Sequence, residues 1–231
     1  MYKNLTLESN SSLKRFSHSR RFEIAAKLLE IESCDEFLDY GTGDGHFLFL
    51  IRAQLKIIKR VVGYEPIDSQ FAQLKEFSEK AYGSEVEIYK DPPKGELFSK
   101  ISCLEVLEHM TLENQKALLN QIRALMTDDG LFLLSVPIEV GISGLMKNIA
   151  RILLRQTHPE TTVENIIKST FSMPINRPNQ PYIYTHIGFN HKELEKIFID
   201  VGLRIENKYY SPLPLLKNII NSQIFYLLRK I

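Results

Sequence analysis

Glu36-Phe37-Leu38-Asp39-Tyr40-Gly41-Thr42-Gly43-Asp44-Gly45-His46 is the stretch on which the reading of this chain turns. Phe37 and Leu38 read as the end of a buried strand, Gly41, Gly43 and Gly45 as a sharp turn, and the run from Phe47 to Ile51 as a buried helix. Glycine has no Cβ, so alternating glycines permit positive φ and let a ligand lie against the main chain. A strand, a tight glycine turn and a helix together make a nucleotide-cradling corner, with helix N–H groups free at its mouth. The spacing is G-x-G-x-G, where a dinucleotide site uses G-x-G-x-x-G to seat a pyrophosphate. Asp39 and Asp44 put two carboxylates at that mouth, which would repel a pyrophosphate and suit a ligand carrying positive charge.

Downstream, Arg60 to Pro66 reads as a second strand closed by proline, and it ends on Glu65, about 20 residues after the turn. A doubly wound sheet places an acid there to accept from two ribose hydroxyls. Ser69 to Tyr82 is a helix, and Val86 to Tyr89 a short third strand leading to Asp91-Pro92-Pro93. Ile101 to Leu104 is a fourth strand, followed by Glu105-Val106-Leu107-Glu108-His109. Thr111 caps a helix to Met126, which Asp128-Asp129-Gly130 is expected to end, and Leu131 to Val136 is an apolar strand of the kind covered on both faces. Near the end, Asn190 and Glu193 predict a capping box for a helix that stops at Gly202, followed by strands over residues 203–209 and 223–229.

Upstream, residues 1–15 are polar and without period, and residues 17–31 carry an amphipathic helical pattern. His18, Arg20 and Arg21 are expected to form a solvated basic end to that helix. Between Pro137 and Tyr182 the chain is least regular, and too long for a simple connection. Within it, Lys147, Arg151 and Arg155 fall opposite Leu145, Ile149, Ile152 and Leu153. This pattern predicts a helix whose apolar stripe packs on the domain while its basic side stays wet, with contact to a membrane surface as the alternative.

The 231 residues, 44% of them apolar, suit one globular domain. Basic and acidic residues nearly cancel, at 29 against 28, so there is no strong nucleic-acid signal. No apolar run reaches the length of a transmembrane span, and Cys34 and Cys103 form neither a CxxC motif nor a disulfide framework, so a cytoplasmic location is expected.

Residues 38–45 resemble the first motif of the class I S-adenosylmethionine-dependent methyltransferases, and Glu105 to His109 resembles the motif after the fourth strand in ubiquinone-type O-methyltransferases and their relatives. With Glu65, the resemblance holds at three separated places in the right order. It implies a Rossmann-like, doubly wound α/β fold: a mostly parallel seven-stranded sheet with a terminal antiparallel hairpin and helices on both faces. Residues 1–231 would be a single methyltransferase domain, with 138–184 a substrate-binding or lid insertion. The implied activity is methyl transfer from S-adenosylmethionine, with S-adenosylhomocysteine as product, to an oxygen of a small-molecule or glycan-like acceptor. Asp39, Gly41, Gly43, Gly45 and Glu65 would bind the cofactor, Asp91 its adenine, and His109 would deprotonate the acceptor.

If a helical turn begins by Glu105, then Glu105, Glu108 and His109 share one face. That spacing is similar to the Mg²⁺ site of small-RNA 2′-O-methyltransferases, whose further histidine corresponds best to His186, with His191 as the other candidate. A magnesium-dependent RNA methyltransferase and a non-catalytic cofactor-binding protein of the same fold are therefore the alternative readings. A nicotinamide oxidoreductase is opposed by the glycine spacing and Asp44. The oligomeric state has no signature in the sequence.

Overall fold

The structure, a computed structural model, describes residues 12–51, 58–81, 86–180, 182–216 and 221–231. In chain order the elements are α1 (Ser12–Leu29), β1 (Glu36–Tyr40), α2 (His46–Leu50), β2 (Arg60–Tyr64), α3 (Asp68–Ala81), β3 (Glu87–Tyr89) and β4 (Phe98–Leu104). After a 3₁₀ turn at Leu107–His109 come α4 (Leu112–Leu125), β5 (Met126–Pro137), α5 (Gly141–Leu153), α6 (Val163–Thr170), α7 (His191–Asp200), β6 (Leu203–Ser211), a second 3₁₀ turn at Pro214–Leu216, and β7 (Gln223–Lys230). None of the described helices is long and apolar enough to cross a membrane.

The strands form one seven-stranded sheet in the order β3-β2-β1-β4-β5-β7-β6. β1 runs parallel to both β2 and β4, with Asp39 opposite Gly63 on one side and Ser102 on the other. β2 and β3 are also parallel, and the β5-β7-β6 edge is antiparallel. The order reverses between β1 and β4, and at such a point an open sheet leaves a crevice beyond the carboxyl ends of its strands.

The chain clusters into two compact units. The first holds Met1–Leu104, Ala124–Leu134 and Leu227–Lys230, the second Glu105–Arg123, Ser135–Tyr226 and Ile231. The first unit's core is made by Phe37, Leu38, Val62, Phe98 and Ile101 of the strands with Leu48 and Leu74 of α2 and α3, all fully or almost fully buried. Consecutive burial along β1 fits a parallel strand covered on both faces. In the second unit α4 contributes Leu118, Leu119 and Ile122, α7 contributes Leu194 and Phe198, and β7 contributes Phe225 and Tyr226.

Several local expectations are corrected. β5 begins directly at Met126, so Asp128-Asp129-Gly130 is strand and not a helix stop. The Asp129 carbonyl accepts from Arg229 Nη1, and Lys230 pairs with Asp128, which draws this segment into the ladder beside β7. Asn190 caps α7 through the Lys192 N–H at 3.1 Å, one residue short of the capping-box partner. α1 already begins at Ser12, while the rest of the polar leader lies outside the described residues. Arg20 is exposed. The largest reversal concerns α5: its stripe is exposed, and Lys147 and Arg151 turn inward to a buried carboxylate.

Candidate functional site

In the first unit the glycine turn folds as its residue types require. Gly41, Gly43 and Gly45 have φ of +79°, +62° and +82°, which L side chains rarely adopt. The Tyr64 carbonyl accepts from the N–H groups of Gly41 and Thr42, at 2.8 and 3.0 Å, tying the turn to the end of β2. A Cβ on Gly45 would stand 2.9 Å from Leu74 Cδ1, so that glycine also lets α3 close on the turn. At Gly43 a Cβ would meet only Gln70 Oε1, at an ordinary 3.4 Å, so there the requirement is conformational. Asp44 accepts from the His46 N–H at 3.1 Å and so fastens the start of α2.

Two carboxylates stand at this corner. Glu65 is 3% exposed. Its Oε2 accepts from the Gly43 N–H and its Oε1 from the Ile67 N–H, each at 2.8 Å. Burial raises its pKa and the two backbone donors oppose the rise. Each oxygen keeps a second lone pair, the acceptor capacity that a ribose diol requires. Asp39 is buried at the end of β1, taking hydroxyl donors from Thr42 at 2.5 Å and Ser102 at 2.6 Å. Burial pushes its carboxyl up to about 6 against those two hydrogen bonds. Among the described residues no lysine or arginine pairs with it, so a cationic ligand group would relieve a real electrostatic cost. Asp91 is exposed in the bend after β3, two residues beyond Tyr89, whose carbonyl accepts from the Glu65 N–H.

The second unit gathers a different set of groups. Glu105 has φ of +58°, so no helical turn starts there, and its carboxylate accepts from Gln223 Nε2 at 2.8 Å. Among the described residues, the group whose ligand atoms lie within 4.8 Å of one another is Glu108, His109 and His186, without Glu105 or His191. The His109 Nδ1–H donates to the Ile183 carbonyl at 2.8 Å, and the Ile183 N–H returns a bond of 2.8 Å to the His109 carbonyl. That clasp leaves Nε2 as the basic nitrogen, 3.9 Å from the buried Glu108 carboxylate. The ring stacks on Tyr182 at 4.6 Å and meets His186 edge-on at 4.9 Å. Burial lowers the pKa of both imidazoles, that of His186 to about 4, so both are neutral near pH 7.

Glu139, just past β5, belongs to this assembly and has no motif around it in the sequence. It is 2% exposed, with Lys147 at 2.9 Å, Arg151 at 3.0 Å and His186 Nδ1 at 3.9 Å. Burial would raise its pKa, but Lys147, Arg151 and His186 hold it down to about 2. The only sequence signal was the register of Lys147 and Arg151 on one side of a helix. As a metal site, two imidazoles and one carboxylate do not fit Mg²⁺, which takes oxygen ligands and retains water.

A cavity of about 460 Å³ also lies in the second unit, walled by Met110, Leu112, Met173, Ile175 and Phe189. Arg177 lines it too, its guanidinium donating to the carbonyls of Glu108 and Thr185 and facing the Phe189 ring at 5.9 Å.

A family model described as a methyltransferase domain matches residues 14–207. The chain belongs to this methyltransferase family. Among solved structures, magnesium protoporphyrin IX methyltransferase from Synechocystis with bound S-adenosylhomocysteine is similar at 14% identity and a TM-score of 0.61, covering 95% of this chain and 88% of that one. An S-adenosylmethionine-dependent methyltransferase from Clostridium acetobutylicum is similar at 12% identity and a TM-score of 0.62, covering 99% and 96%. At such identities the likeness concerns the methyltransferase fold. No curated protein matches the chain significantly.

Proposed function

We propose that this methyltransferase binds S-adenosylmethionine at the glycine corner of its first unit and methylates an oxygen of a small-molecule or glycan-like acceptor. The observation that carries the reading is Glu65, a buried carboxylate hydrogen-bonded to the Gly43 N–H with lone pairs to spare, beside the cation-seeking Asp39. In this reading Glu65 holds the ribose, Asp39 faces the positively charged methionine portion, and the backbone at Gly41, Gly43 and Gly45 lies against the cofactor. Asp91 is the candidate for the adenine amino group. The bound cofactor supplies an activated methyl group, and the chain's own task is then to hold the acceptor and take its proton.

His109 is the proposed base. Its Nδ1–H is committed to Ile183, so Nε2 can accept the proton of a hydroxyl. The apolar walls of the cavity, with Arg177 and Asn190 among its polar groups, suit a compact acceptor with a hydroxyl and some apolar surface. The whole chain then acts as one methyltransferase domain in which residues 138–184 serve the acceptor. Cys34 and Cys103 form no disulfide, which accords with a cytoplasmic location.

Calorimetry with S-adenosylhomocysteine and NADH, followed by methyl-label transfer into cell-extract fractions, tests this. Retention of the first ligand alone and label in small molecules or glycans is the expected result. Binding of NADH alone would overturn the cofactor, and label confined to RNA, with activity lost in chelator, would overturn the acceptor.

A further inference from the structure

The apolar stripe of α5 looks outward. Ile142, Met146, Ile149 and Leu153 recur at i, i+4, i+7 and i+11, and each is about half exposed or more, Leu153 reaching 77%. The helix's polar side points inward: Ser143 and Asn148 are buried, and Lys147 and Arg151 hold Glu139. At Gly144 the backbone packs so closely that a Cβ would stand 2.3 Å from the Glu139 carbonyl oxygen. Rotating the helix to hide its stripe would strip a buried carboxylate of its cations, so the outward stripe is fixed by the core itself.

Neighbouring elements extend this surface. α6, packed on α5, exposes Val163 and Ile167, and Phe171 follows at its end. The Ser143 hydroxyl donates to the Asn221 carbonyl, and Asn221 is bonded in both directions to Leu213. That ties to the start of α5 the 3₁₀ turn on which Leu215 is 96% exposed.

An apolar surface beyond a few hundred Å² marks an interaction face. Its chemistry identifies the occupant. Apart from Met146 and Phe171 the exposed side chains are aliphatic, and they offer almost no hydrogen-bonding groups, whereas protein interfaces rely on Tyr, Trp and Arg anchors with regular hydrogen bonds. No acidic residue occurs between Glu139 and Glu160, Arg155 is exposed at the end of α5, and Glu164 on α6 is paired with Lys168. An apolar helical stripe free of acidic residues, with exposed Arg155 at its end, complements an anionic lipid surface. We propose that α5, with α6 and the Leu215 turn, docks on an anionic bilayer, its axis in the headgroup plane and its stripe in the acyl boundary.

Sedimentation of the full chain with phosphatidylcholine vesicles, with and without phosphatidylglycerol, tests the proposal. The protein should pellet with the anionic vesicles, and Met146→Glu with Leu153→Glu should cut the bound fraction by roughly tenfold or more while the melting temperature is retained. Arg155→Ala should weaken binding about fivefold. Three results would each overturn the proposal: no pelleting with either vesicle, pelleting unchanged in the double variant, or a wild-type dimer in light scattering that the double variant turns into a monomer.

Discussion

The two buried acids Asp39 and Glu139 face the same problem and solve it in opposite ways. Asp39, in the first unit, is surrounded by hydroxyls from Thr42 and Ser102, and burial dominates, raising its carboxyl to about 6. Glu139, in the second, is just as buried but meets Lys147 and Arg151, and its carboxyl falls to about 2. A carboxylate kept without a cation is left at a cost that a charged ligand can relieve. One already paired is structural, and it sets the direction in which its helix faces. In the proposed reading, the difference separates a site prepared for a ligand from a framework that is complete.

The largest effect should come from breaking the first arrangement. Gly43→Val imposes a β-branched side chain at φ +62° and disturbs the N–H that Glu65 accepts, so S-adenosylhomocysteine binding should be lost in calorimetry. Binding of normal strength in this variant would break the comparison at its first term. His109→Ala tests the second unit in the converse manner: turnover should fall about 10²–10⁴-fold while cofactor affinity is retained. A loss of affinity instead would tie the imidazole to cofactor binding.

Glu139→Gln should lower stability by about 3–5 kcal/mol, because it leaves two half-buried cations facing a neutral amide. Asp39→Asn should leave stability nearly unchanged or raise it, and equal losses in the two variants, measured by urea unfolding, would erase the distinction. The pH dependence has opposite signs. The depressed Glu139 contributes stability that is present above its ordinary value of 4.5 and is lost as pH falls toward 2. The raised Asp39 contributes stability that is present below its ordinary value of 3.8 and is lost as pH rises through about 6. The smallest expected effect follows from the same group: a cationic ligand favours ionised Asp39, so cofactor affinity should weaken as pH falls below about 6. Affinity flat from pH 5 to pH 8 would remove Asp39 from contact with the ligand's charge.

How far each region was legible in the sequence follows from how local its ties are. The glycine turn, Asp39 and Glu65 could be located because the turn's ties are either a few residues long or run to the end of the neighbouring strand, and positive φ selects glycine wherever it occurs. The condition that a helical turn begins by Glu105 is not met, because Ser135 and Gln223, far along the chain, hold that residue in a left-handed conformation, and nothing in Glu105 to His109 signals those ties.

The sequence by itself determined the family, the strand-turn-helix corner and the positions of its two acids, since these rest on short-range stereochemistry and on motif spacing. Only the tertiary structure decided which way α5 faces, that Glu139 is its anchor, and that His109 and His186 meet. Those outcomes depend on pairing charges and rings contributed by distant segments. Amphipathic periodicity locates the two sides of a helix but does not say which will be buried when a carboxylate in the core requires cations.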